Sequence, residues 1–190
     1  MVLNKNSQLK DLKEVLVSCG IDYSCWGKDS TKSLEQLFQE IQSGDCILHY
    51  SSDKIIRSVS VVTVDIFFEK NGSLYELFEE KQIFSNGSEK IRKLNSSLSE
   101  KIKYSESVEE ALVRMVQEET GITIELSRFK IAILNRTDAK TSDSYPGVFS
   151  RYSFRDYYVF LNQDEYIASG YDEIQKDKTS YFKWREVSHA

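Results

Sequence analysis

An α+β fold is what this 190-residue sequence predicts, and three observations predict it. Two amphipathic helical segments fall within residues 1–44. An alternating apolar segment with an Asn-Gly turn follows them. One short helix then separates that hairpin from further β-prone segments. The expected organisation is an N-terminal helical extension over 1–44 and a main domain over 45–190.

In the first segment, residues 7–19, Leu9, Leu12, Val15, Leu16 and Cys19 recur at helical spacing. Ser7 is placed to cap its start and Gly20 to end it. Residues 31–43 repeat the arrangement with Leu34, Leu37, Phe38 and Ile41, followed by Gly44. The two helices are expected to form a hairpin with apolar faces turned inward, and nothing in them suggests chemistry. From residue 45 the period changes. "RSVSVVTVDIFFEK" puts Val62, Val64, Ile66 and Phe68 on one face of a strand. Asn71-Gly72 is a two-residue hairpin signal, and "SLYELFEEKQIF" is the return strand. The polar residues 85–97 read as a loop, with room for a helical turn around Lys90 to Leu94. After the short helix, "ITIELSRFKIAILN" offers one or two strands. "FSRYSFRDYYVFLN" and "TSYFKWREV" complete the β-prone set.

The short helix carries the chemistry. In "ESVEEALVRMVQEETGI", Ser107 and Glu110 fit a capping box. Val108, Ala111, Leu112, Met115 and Val116 form an apolar stripe. Gly121 sits where a left-handed cap is wanted, and Ile122 can close over the end. Glu118 and Glu119 are then unexplained, because two acids in a last turn oppose the helix dipole. A divalent cation rationalises adjacent carboxylates there; magnesium is held by one or two protein carboxylates plus waters and phosphates.

At these positions the stretch resembles the Nudix box, G-x5-E-x7-R-E-U-x-E-E-x-G-U. Glu106, Arg114, Val116, Glu118, Glu119, Gly121 and Ile122 fall at the family spacing. The opening glycine of the pattern falls on Glu100, and the acid after the arginine falls on Met115. The resemblance implies a Nudix-like mixed β-sheet sandwiched by helices, here with an N-terminal helical hairpin. It implies magnesium or manganese as cofactor if the carboxylate site is functional, with Glu118 and Glu119 as ligands. Glu106 is then an auxiliary acid, and Arg114 orients an acid that Met115 has replaced. Loss of a positioned base typically costs roughly 10²–10⁴ in rate. The implied function is therefore binding of a nucleotide or other diphosphate-containing small molecule with weak or absent hydrolysis. The alternative is an active magnesium-dependent pyrophosphohydrolase of a nucleoside diphosphate linked to another moiety. Asp172 and Glu173 in "GYDEIQKDK" are candidate acids outside the box, and the substrate-binding residues are unassigned.

The bulk numbers exclude several classes. A formal net charge of -5 argues against general nucleic-acid binding, which needs a basic surface to displace counterions. No apolar run is long enough to span a membrane, and the N-terminus lacks the features of a secretory signal. Three cysteines without a CxxC pair point to a reduced intracellular compartment, the cytoplasm in the first instance. His49 and His189 stand at no readable catalytic motif. Pro146-Gly147 reads as a type II turn, the aromatics of 145–160 as core packing, and Arg92, Lys101 and Lys103 as a solvated basic loop within reach of phosphates.

Overall fold

The computed structural model describes residues 1–51, 53–92 and 96–187. Part of the expected helical turn at 90–94, and His189, lie outside the described residues. The fold is α+β. In chain order the elements are β1 (Val2–Leu3), α1 (Leu9–Ser18), α2 (Leu34–Ser43), β2 (Ile47–Tyr50), β3 (Ile55–Lys70), β4 (Ser73–Phe84) and β5 (Glu89–Lys90). They continue with β6 (Leu98–Lys101), α3 (Val108–Thr120), a 3₁₀ turn at Leu126–Arg128, β7 (Lys130–Thr141), β8 (Phe149–Phe160), β9 (Tyr171–Ile174) and β10 (Lys178–Glu186). No helix among the described residues is long and apolar enough to cross a membrane.

Packing groups the chain into two compact units. One takes Met1–Val61, Lys101–Ser107 and Asn135–Phe154; the other takes Val62–Glu100, Val108–Leu134 and Arg155–Ala190. The helices of residues 1–44 thus share a unit with strand residues that follow them.

In the first unit both helices begin and end where backbone groups find partners. The expected cap at Ser7 is displaced by one residue: Gln8 is the cap, because its N–H donates to Asp11 Oδ2 at 2.7 Å. Ser7 Oγ instead accepts from the Asn4 N–H. At α2, Ser33 Oγ accepts from the Gln36 N–H at 3.2 Å and Gln36 Oε1 accepts from the Ser33 N–H at 2.7 Å, a complete capping box. Gly44 closes α2 in the left-handed region, with φ +83. The two helices pack together as the expected hairpin. Leu12, Leu16, Leu37 and Ile41 are buried with Leu48, Val59, Tyr145 and Val148 in one core. Strand β2 pairs antiparallel with β1 and with the start of β3. The Tyr145 carbonyl accepts from the Val148 N–H at 3.0 Å, and Gly147 has φ +89. Pro146-Gly147 is therefore the expected type II turn.

The first unit also holds a charged group that sequence reading passed over. Glu40 lies on the buried stripe of α2 and is 7% exposed. It accepts from Arg57 Nη2 at 2.5 Å and from Lys32 Nζ at 2.6 Å, and Lys101 Nζ stands 3.4 Å away. Burial raises its carboxyl, but the charges of Arg57 and Lys101 and the hydrogen bonds from Lys32 and Arg57 outweigh it and hold the pKa at about 2.

The second unit is built on a hairpin. Val62, Val64, Ile66 and Phe68 of β3 are each 3% exposed or less. Asn71 and Gly72 have φ of 52 and 80, so the turn has both central residues left-handed, the type I′ geometry that suits a twisted hairpin. Strand β4 pairs antiparallel with β3, β5 and β10, and β10 pairs with β9. Helix α3 packs against β9. Its buried residues are Ala111, Leu112, Met115 and Val116, the stripe that periodicity marks. In "ITIELSRFKIAILN" only β7 forms; Ile124 and Phe129 are buried anchors on either side of the 3₁₀ turn, which breaks the alternation. Strand β9 is too short to show a period.

Candidate functional site

The site grows from a bulge in β4. Strand β4 alternates until Leu77 and Glu79, both buried; the next buried residue is Gln82, three positions on. Register to β10 shifts between Tyr181 and Phe182, so Glu79 faces Phe182 while Lys81 faces Tyr181. Glu80 is the extra residue, and it turns Glu79 onto the same face as Gln82. Across the sheet Gln82 pairs with Ser180, and Ser180 pairs with Glu173 of β9. Glu79, Gln82, Ser180 and Glu173 therefore stand on one face of three adjacent strands. Gln82 Nε2 donates to Glu79 Oε2 at 3.2 Å and to Ser180 Oγ at 3.4 Å.

Arg92 grips Glu79 with two donors: Nε to Oε1 at 2.8 Å, and Nη2 to Oε2. The carboxylate is 1% exposed and the guanidinium about one third exposed (36%). A planar fork meeting a carboxylate is the strongest side-chain pairing available to an arginine.

Helix α3 brings Glu119 into this group. Glu119 lies one turn beyond Met115 on the buried stripe. Burial lifts its carboxyl well above the usual carboxylate range; the charges of Glu173 and Glu100 lift it further, Arg92 opposes them, and Glu79 adds to the rise. Glu119, Glu173, Glu100 and Glu79 are thus electrostatic neighbours with Arg92 among them.

The other residues of the box are placed elsewhere. Glu118 is exposed on the outer face of α3, where its Oε2 accepts from Arg114 Nη1 at 3.1 Å. Met115 is fully buried, so a thioether fills the core where the pattern has an acid. Glu106 belongs to the first unit, where its Oε2 accepts from the Lys103 N–H at 3.2 Å and closes a tight turn. Gly121, with φ +73, donates its N–H to the Gln117 carbonyl at 2.9 Å and ends the helix as the pattern requires. Asp172, on the strand beside Glu173, is exposed. Glu118 and Glu119, adjacent in sequence, face different surroundings because successive helical residues are turned by about 100°.

On the outer face of α3 lies a cavity of about 550 Å³, lined by Val113, Gln117 and Leu126 and by Glu109, Glu110, Arg114 and Glu118. Three carboxylates against one guanidinium give it the wrong sign for a phosphate.

The expectation of magnesium or manganese can be tested on this donor set. Among the described residues, no three His, Cys, Asp or Glu side chains are grouped so as to hold a metal ion. Glu118 is turned away, position 115 is a thioether, and Arg92 engages both oxygens of Glu79. As arranged, the residues do not fit a divalent cation.

No family model matches the sequence, and no curated protein matches it. Solved structures to which the chain is similar include Nudix proteins. A MutT/nudix family protein from Enterococcus faecalis is 15% identical with a TM-score of 0.45, over 82% of this chain and 51% of that one. The NUDIX domain of Shewanella oneidensis NrtR, in complex with ADP-ribose, is 16% identical with a TM-score of 0.40, over 68% and 73%. An Ap4A hydrolase from C. elegans is 15% identical with a TM-score of 0.39, over 68% and 80%. The likeness is one of fold, and no residue's role is taken from it.

Sequence reading had Glu119 and Glu173 as candidates and Arg92 as a loop cation. It missed Glu79 and Glu100 as members of the same group. The signal for Glu79 was present as consecutive acids in "LFEEKQ", which break the alternation of an otherwise regular strand.

Proposed function

We propose that residues 45–190 form a Nudix-like domain that binds a nucleotide or other diphosphate-containing small molecule with weak or absent hydrolysis. One observation carries this reading: the three acids of the box pattern are dispersed, with position 115 a buried methionine, Glu118 outward on Arg114 and Glu119 inward. Diphosphate cleavage needs a cation on the phosphates and an activated water. Burial and the Glu173 and Glu100 charges raise the Glu119 carboxyl, and the acid that would activate the water is replaced at position 115 by the buried Met115. An auxiliary role for Glu106 and an orienting role for Arg114 remain part of the proposal, as does use of magnesium or manganese by a rearranged cluster.

The test is a binding titration followed by calorimetry, with ADP-ribose (the ligand of the Shewanella oneidensis neighbour) and a dinucleoside polyphosphate as probes. Each is run with and without magnesium, on the wild type and on Glu119→Gln. Saturable binding to the wild type is expected. An absence of heat for both probes under both conditions removes the reading.

A further inference from the structure

Four carboxylates that are electrostatic neighbours call for a compensating positive charge, and Arg92 is placed to supply it. Its two donors engage both oxygens of Glu79, a carboxylate 1% exposed. Glu79 is aimed there by the Glu80 bulge, which sets it on the face that carries Glu173. We propose that Arg92 is a tethered cation that occupies the carboxylate cluster in place of a divalent metal ion. The cluster is then charge-compensated by the chain itself, and a diphosphate approaching it meets a guanidinium rather than a metal.

The inference rests on the reading of residues 45–190 as a Nudix-like domain, of whose box Glu119 alone contributes an acid to this cluster. A guanidinium is suited to the task. It stays protonated, its fork matches a carboxylate, and a guanidinium has five N–H donors, more than the clamp on Glu79 uses. The hydrogen bonds to Glu79 raise the Arg92 guanidinium above its ordinary value, burial lowers it, and the charges of Glu79, Glu119 and Glu173 raise it again. A divalent ion entering the cluster must displace Arg92 from Glu79 or bind beside a positive charge, and both oppose it.

The experiment is a manganese titration of the full chain, with free Mn²⁺ followed by electron paramagnetic resonance and unfolding followed in parallel. Wild type, Arg92→Gln, Arg92→Lys and the double variant Arg92→Gln/Glu119→Gln are compared. Arg92→Gln is expected to bind Mn²⁺ more tightly than wild type by roughly tenfold or more. Arg92→Lys, which keeps the charge and loses the fork, is expected to fall between them. The double variant is expected to lose the gain. Equal affinity in wild type and Arg92→Gln overturns the proposal, as does a gain that survives removal of Glu119. If Arg92→Gln unfolds without metal, cooperative unfolding restored by Mn²⁺ supports the proposal and failure to restore it counts against it. Failure of the binding reading appears separately, as an absence of heat with ADP-ribose, and leaves the Mn²⁺ comparison readable.

Discussion

Glu119 is the residue at which burial and charge conflict most sharply. Its carboxyl is raised by burial and by the Glu173 and Glu100 charges. A group with a raised folded pKa contributes stability that is fully present below its unfolded value of 4.5 and is lost as pH rises through the folded value. Glu119→Gln removes that loss. The variant is expected to unfold about 1–2 kcal/mol harder than wild type near pH 8, with the difference vanishing below pH 4; thermal melts across that range check it. Met115 makes the converse point. It is fully buried, so Met115→Glu places a carboxylate in the core beside an acid cluster. In metal-free buffer the variant is expected to lose roughly 3 kcal/mol, whereas Met115→Leu is expected to lose less than about 1.5 kcal/mol. Urea melts separate the two.

At the scale of elements, the bulge in β4 lies between Glu79 and Gln82. Deleting Glu80 restores simple alternation and leaves Glu79 and Gln82, then two positions apart, on the same face opposite Phe182 and Ser180. The expected result is a folded chain that keeps the Arg92–Glu79 pair and changes in stability by no more than about 1 kcal/mol, with an equilibrium melt as the check; a loss of several kcal/mol would show that the bulge itself sets the geometry of the pair. The elements also show what was legible in the sequence. The hairpin of β3 and β4 was readable because Val62, Val64, Ile66 and Phe68 alternate and Asn71-Gly72 allows left-handed backbone. Helix α3 was readable from its stripe and from Gly121. The bulge was not, since period-2 reasoning assumes a regular strand, and consecutive acids read first as solvated surface. Strand β9 was not, because four residues carry too little pattern to distinguish a strand from a loop. The grouping of Glu173 with Glu119 follows from the packing of α3 on β9, a long-range fact that local spacing does not contain.

At the scale of the whole molecule, each unit has an acid whose carboxyl its surroundings shift, and the two shifts run in opposite directions. In the first unit Glu40 is satisfied by Arg57, Lys32 and Lys101, and its pKa of about 2 makes it a stabilising charge at neutral pH. A depressed pKa contributes stability present above the unfolded value and lost as pH falls through the folded one. Glu40→Gln is therefore expected to cost about 3–5 kcal/mol at pH 7, because it leaves Arg57 buried without its counter-charge. The cost should shrink as pH falls from about 4.5 towards 2. Glu40 was hidden in the sequence because it occupies a core position of α2 that an apolar residue would ordinarily fill. In the second unit, Glu119 is raised by burial and by the Glu173 and Glu100 charges, with Arg92 opposing them, which is why the proposed function is placed on its cluster.

Phosphate release tests the central claim most directly. ADP-ribose, a dinucleoside polyphosphate and a nucleoside triphosphate are incubated with magnesium or manganese, and phosphate or nucleoside monophosphate is followed for the wild type beside Glu119→Gln. A binding module with weak or absent hydrolysis predicts release at or close to the level of protein-free buffer for both proteins, unchanged by Glu119→Gln. Turnover by the wild type that Glu119→Gln abolishes would contradict it, and would make this chain a hydrolase despite Met115.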